Sequence, residues 1–144
     1  MWTVRDLLKS KGSEVFSIAP QASTLVALNI MAEKNVGALV VVQDGKLEGI
    51  ISERDFARRI SAEGQCGLER PVSDSMTRHV YTIHPDQNIE DCMALMTQHK
   101  IRHLPVEEND RLVGLISIGD VVKAIIDEQH GLIQQLENYI GGKR

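Results

Sequence analysis

The sequence predicts a mixed α/β (α+β) fold of two βαββα repeats packed about a pseudo-twofold axis, with an extra N-terminal segment and a C-terminal helix. The first observation behind this is a repeat. GIISERD at 49–55 returns as GLISIGD at 114–120, and Val15–Ile60 aligns without a gap on Val80–Ile125 at an offset of 65 residues. Identities such as Val15/Val80, Pro20/Pro85, Met31/Met96, Gly49/Gly114, Ser52/Ser117 and Asp55/Asp120 run through both copies, so each copy is one supersecondary unit. The second observation is the pattern inside a copy, where short β-branched runs alternate with stretches of helical period. The third is size and composition. At 144 residues, 42% hydrophobic and 25% charged, the chain has the balance of a globular protein that buries a core without disulfides or metal. One copy alone would leave half a sheet and two apolar helix stripes in water, so the copies are expected to pack on each other.

Taken in order, TVRDLLKSKG opens the chain with Val4, Leu7 and Leu8 at helical spacing. VFSI and its partner VYTI are brief strands, each stopped by a proline after one more residue. Helices follow in STLVALNIMAEKN and NIEDCMALMTQHK, with Ser23 and Asn88 as N-caps and Leu25, Leu28, Ala32 and Ile89, Met93, Met96 as the apolar stripes. Two apolar runs around Asp44-Gly45 make a hairpin, and Glu108-Asn109-Asp110 takes that turn in the second copy. ERDFARRI and IGDVVKAIIDEQ resume the helical period. Between the copies, the linker holds PVSDSMT, long enough for one helical turn; it and the N-terminal segment are expected to cover a cleft flank or the partner repeat. After a break at Gly131, Leu132, Ile133, Leu136, Tyr139 and Ile140 form an apolar face that must pack on its own protomer or lock a twofold dimer. The chain thus divides into residues 1–66 (lead-in and first repeat), 67–126 (linker and second repeat) and 127–144 (amphipathic helix and polar tail GGKR), the two repeats forming one module.

Composition removes several function classes. A net charge of -4 gives no global field for a polyanion, and one Trp, two Tyr and two Phe supply few stacking platforms, which speaks against nucleic acid. No stretch approaches a membrane span or a signal-peptide core, so the expected setting is the cytoplasm. Cys66 and Cys92 lie in unrelated contexts, which fits two reduced thiols. His79, His84, His99 and His103 cluster in sequence, but the last two fall on a helix end and a strand, so no metal site is expected. No nucleophile has a base placed beside it, and an enzyme is not expected.

The duplicated Ser-x-x-Asp has two readings. Ser52 and Ser117 stand where a strand ends and a helix begins, and an acid three residues on completes a cap. The same corner also directs free N–H groups, a hydroxyl and a carboxylate outward, where a phosphate and the paired hydroxyls of a ribose can be held. With SIAP and TIHP, GALVVV and RHLPV, GIISERD and GLISIGD each in order in both copies, residues 16–126 resemble a tandem pair of cystathionine β-synthase (CBS) domains. The resemblance implies a stand-alone, non-enzymatic sensor that binds an adenine nucleotide (AMP, ATP or NAD) in clefts between the repeats, pairs as a homodimer, and regulates a protein partner. It implies one site at Ser117 and Asp120 with backbone at Thr82, His103 and Leu104, and another at Ser52 and Asp55 with backbone at Ser17, Ala38 and Leu39. The two are expected to be unequal: Arg54 offers a fork to phosphate in one, Gly119 a close backbone approach and Arg102 added charge in the other. The rival reading is a structural adaptor whose heptads are only caps and whose C-terminal helix is the working surface; an unrecognised enzyme is the more remote alternative.

Overall fold

A computed structural model describes residues 2–65 and 67–141; Cys66 and the tail at 142–144 lie outside the described residues. The elements are α1 (Val4–Lys11), β1 (Ser17–Ile18), α2 (Thr24–Lys34), β2 (Ala38–Gln43), β3 (Lys46–Ser52), α3 (Glu53–Glu63), a 3-10 turn (Val72–Asp74), α4 (Ile89–His99), β4 (His103–Glu108), β5 (Arg111–Ser117) and α5 (Ile118–Gly141). This is the expected mixed α/β order, complete as βαββα in the first copy and as αββα in the second. Contacts divide the chain into two compact units that do not follow chain order. One holds Glu14–Tyr81 with Arg111–Val113; the other holds the N-terminal stretch to Ser13, Thr82–Asp110 and the chain from Gly114 onward.

In the first-repeat unit, β1 runs parallel to β2 (Ser17 beside Val40), and β2 pairs antiparallel with β3 through a bulge at Val41/Val42. Asp44 and Gly45 take φ values of 51° and 78°, the double left-handed turn that the strand twist demands. Ser23 caps α2 by accepting the Val26 N–H, and Asn35 ends it in the left-handed conformation. The buried stripe of α2 is Thr24, Ala27 and Met31; of the expected Leu25, Leu28 and Ala32, Leu28 packs half-buried against the same core while Leu25 and Ala32 are exposed. The linker sets this rotation. The Thr24 N–H and hydroxyl both donate to Arg70 O, at 2.8 and 2.9 Å, while Val72 and Met76 enter the core beside Ala27, Met31, Leu39 and Phe56. Helical period fixes the spacing of a stripe, but its phase depends on what packs against it.

The linker is held by backbone. Val72 and Ser73 donate to Ala22 O and Pro20 O, and Thr77 exchanges hydrogen bonds with Ile50 at 2.8 and 3.0 Å. Gly49 permits this: a Cβ there would stand 2.7 Å from Thr77 O.

The second-repeat unit repeats the device with the chain's own first helix. Val4 donates to Gln87 O, Arg5 to Pro85 O, and Ile89 to Trp2 O, at 2.8 to 3.1 Å. Leu8 lies over Gly114, where an added Cβ would meet its methyl at 2.7 Å. The lead-in segments thus complete one repeat each: α1 the second, the linker the first. Thr3 caps α1 in a reciprocal box with Asp6, and Arg5 pairs with Glu108 at 2.7 Å and Asp86 at 3.1 Å. In α4, capped by Asn88, the buried stripe is Ile89, Cys92 and Met96, with Met93 half-buried.

Two expectations change here. VYTI is no strand; it is reduced to one bridge between Ile83 and Val106. In the first copy, Val40 N–H donates to Phe16 O, but its counterpart is Pro105, which has no N–H to give. Nor is there a break at Gly131: α5 is a single helix from Ile118 to Gly141 that crosses the expected boundary at 126/127. A helix-interior glycine costs about 1 kcal/mol relative to alanine, a penalty that weakens a helix without ending it.

Gly49→Ala is predicted to destabilise by about 1–3 kcal/mol in urea unfolding, and more than Gly114→Ala, because a backbone carbonyl cannot step aside as the Leu8 methyl can. A second prediction concerns acid. The Thr3 backbone and hydroxyl hold Asp6 below the ordinary carboxylate range, and the hydrogen bond from Arg5 does the same for Glu108. Their contribution is present above the ordinary values of 3.8 and 4.5 and is lost as pH falls through the lowered folded ones. Fluorescence of Trp2, the single tryptophan, is therefore expected to change in that acidic window as α1 loosens; a signal flat down to global unfolding would count against this attachment.

Candidate functional site

Each repeat brings one strand start, one strand end and one helix N-terminus to the same end of its sheet. In the first-repeat unit Ala38 pairs with Ser52 and Leu39 with Ile51 across β2–β3, Ser17 begins the adjacent β1, and Glu53 N–H donates to Gly37 O. Ser17, Ala38, Leu39, Ser52 and the first turn of α3, with Arg54 and Asp55, therefore share that end. The side chains of Ala38 and Leu39 are buried, so only their backbone can face a ligand. Arg54 is exposed. Asp55 is well occupied: its Oδ2 accepts Ser52 N–H at 2.8 Å and the Ser52 hydroxyl at 3.0 Å, and its Oδ1 accepts the Thr77 hydroxyl at 3.3 Å. Ser52 in turn accepts Asp55 N–H. Ser52 and Asp55 thus form a reciprocal capping box on α3.

The second-repeat corner starts from the same box. Asp120 Oδ2 accepts Ser117 N–H at 2.8 Å, Ser117 Oγ accepts Asp120 N–H at 3.1 Å, and Ile118 N–H donates to Arg102 O. Thr82 precedes the bridge residue Ile83, half-buried His103 begins β4, Leu104 is fully buried, and Arg102 is exposed. Gly119 lies in the open first turn of α5, where an added Cβ would make one ordinary contact, with Ser117 Oγ at 3.6 Å. What differs is the counter-ion. Lys11 Nζ, from the end of α1, donates to Asp120 Oδ2 at 2.6 Å and to Leu115 O at 2.8 Å. Burial by itself raises the Asp120 carboxyl. The Lys11 hydrogen bond, the Ser117 N–H and the lysine charge outweigh it, and the net pKa lies below the ordinary value. Asp120 is an anion at neutral pH.

A small, solvent-open hollow lies against this carboxylate, lined by Trp2, Ser10, Lys11, Asp120, Lys123 and Asp127, with Leu7 and Ala124 beneath. It combines an aromatic face, two ammonium groups and two carboxylates. Of the expected site residues, Asp120 lines it; Thr82, Arg102, His103, Leu104, Ser117 and Gly119 are not among its described lining. Sequence reading missed Trp2, Lys11 and Lys123. A signal existed for the first two: Val4-x-Asp6 and Val72-x-Asp74 match at an offset of 68 residues, which places the opening segment on the second repeat as the linker is placed on the first.

Among the described residues no group of three or more His, Cys, Asp or Glu could hold a metal ion, and no helix is long and apolar enough to cross a membrane. Burial, then the neighbouring Asp91, pushes the Cys92 thiol up to about 12, so it is an inert core side chain.

Comparison with known proteins agrees with this architecture. The CBS domain family profile matches residues 4–62 and 72–127. The mitochondrial CBS domain-containing protein CBSX3 of Arabidopsis thaliana is 38% identical over 149 residues, covering 97% of this chain and 72% of its own length. The crystal structure of the CBS-domain containing protein ATU1752 from Agrobacterium tumefaciens superposes with a TM-score of 0.82 at 41% identity, over 85% of this chain and 98% of that one. The CBS domain pair of protein MJ0100, crystallised with 5-methylthioadenosine and S-adenosyl-L-methionine, gives 0.76 at 26% identity, over 88% and 97%. With two matched stretches that together span most of its length, the chain belongs to the CBS domain family as a tandem pair.

Proposed function

We propose that the protein is a non-enzymatic sensor of an adenosine-containing nucleotide such as AMP, ATP or NAD, works as a homodimer, and regulates a partner protein through ligand occupancy. The observation that carries this is the ionised Asp120 at the edge of an open hollow, with Lys11 and Lys123 beside it. A carboxylate there accepts both hydroxyls of a ribose, and the Ser117 and Lys11 bonds already described both fall on Oδ2. Lys11 is then the natural phosphate partner, since its long stem lets the ammonium turn from Asp120 to an incoming anion. Thr82, Arg102, His103, Leu104 and Gly119 border the same sheet end and supply backbone and charge to the rest of the ligand. The adenosine ligands in the MJ0100 crystal support this ligand class.

The first-repeat corner, with Ser17, Ala38, Leu39, Ser52, Arg54 and Asp55, is proposed as the weaker site. Both oxygens of Asp55 are engaged within its own unit, and a ribose must first displace the Thr77 hydroxyl. That observation favours the adaptor reading for this corner.

Thermal shift separates sensor from adaptor. An adenylate at a hundred times its Kd stabilises the folded state by about 2.7 kcal/mol; no shift with AMP, ATP or NAD leaves the adaptor. Asp120→Ala is expected to weaken binding roughly ten- to a hundredfold by calorimetry, and Asp55→Ala less. Lys11→Met is expected to weaken AMP on the order of tenfold while leaving uncharged adenosine nearly unchanged. Equal loss for AMP and adenosine would remove Lys11 from the phosphate role.

A further inference from the structure

The C-terminal half of α5 stands open to solvent. Every residue from Gln129 to Ile140 is exposed, and Leu132, Ile133, Leu136 and Ile140 are each 52–71% exposed. A helix of about a dozen residues is marginal in water without tertiary support, and Gly131 lowers it further. The side-chain pair described along it, Gln134 to Asn138 at 3.3 Å, adds only a few tenths of a kcal/mol by the usual worth of such i,i+4 pairs. On their own protomer, Leu132, Ile133, Leu136 and Ile140 thus keep more than half of their surface open.

The spacing identifies what fits it. Val122, Ile125, Gln129, Leu132, Leu136 and Tyr139 step alternately by three and four residues, and Ile126, Ile133 and Ile140 follow at sevens beside them. That is the seam of a helix that packs along another helix over three heptads. The acids Asp127, Glu128 and Glu137 stand outside the seam, so a like copy brings no charge into it. Between Lys123 and Gly141, α5 carries three acids and no Lys or Arg, a balance that disfavours an anionic lipid surface along the seam itself. By their exposures, the apolar side chains of α5 from Ile118 to Ile140 offer on the order of 800 Å² per chain, the share each partner contributes to a standard stable interface.

We infer that the exposed a/d seam of α5 pairs with the same seam of a second copy and forms the homodimer interface. This rests on the self-association proposed above and gives it a surface. Gln129, the polar residue in the seam, weakens the pairing while restricting its register.

Sedimentation equilibrium of the full chain tests this. The wild type is expected as a dimer at micromolar concentration. Leu132→Glu with Leu136→Glu, both on the exposed tail, is expected to raise the dimer Kd on the order of a hundredfold or more, and Gln129→Leu to lower it about tenfold. A monomeric wild type overturns both the homodimer and this surface. A dimer whose Kd ignores all three substitutions overturns the surface alone and leaves the homodimer standing.

Discussion

The stitching of α1 to the second repeat is the constraint on which the rest of this protein depends. Backbone bonds from Val4 and Arg5 to the turn at Pro85–Gln87 bring residues eighty or more positions apart into one edge. Leu8 settles over Gly114, and only then does Lys11 arrive at Asp120. Fixing such a distant segment carries a loop-closure cost that local helix propensity cannot offset, so the burial of Val4, Leu7 and Leu8 must provide it. The linker repeats the arrangement on the first repeat with Val72, Met76 and Gly49. Each βαββα copy has an apolar side that its own residues do not cover, and a lead-in segment covers it.

The site inherits its asymmetry from those segments. Ser52/Asp55 and Ser117/Asp120 are built alike, as reciprocal caps on strand-to-helix corners. What stands over them differs because the lead-in pieces differ: a threonine hydroxyl reaches Asp55, a lysine ammonium reaches Asp120. The cap and ligand readings are not exclusive. A cap anchors the carboxylate through one oxygen and so orients it ahead of any ligand, which lowers the ordering cost of binding.

Much of this was legible in the sequence. The repeat gave the doubled helix–hairpin–helix order, Ser23, Asn88, Ser52 and Ser117 gave the helix starts, and Asp44-Gly45 gave a hairpin whose turn has the expected positive φ. What escaped has definite causes. The rotation of α2 depends on Val72 and Met76, which no local period reports. The loss of a strand at VYTI turns on one absent N–H, at Pro105, on a different strand. Lys11 and Trp2 could not be placed from position alone, because the opening helix serves the repeat farther along the chain.

The central claim is that an adenosine ligand sits against Asp120 in the second repeat. Titration of AMP into isotopically labelled protein, followed by NMR, tests it most directly. Saturable shifts are expected at the Trp2 indole, the Lys11 side chain and the Ser117 and Asp120 amides, at lower ligand concentration than any change at Ser52 and Asp55. Shifts that begin at Asp55, or a spectrum that AMP, ATP and NAD all leave unmoved, would contradict it.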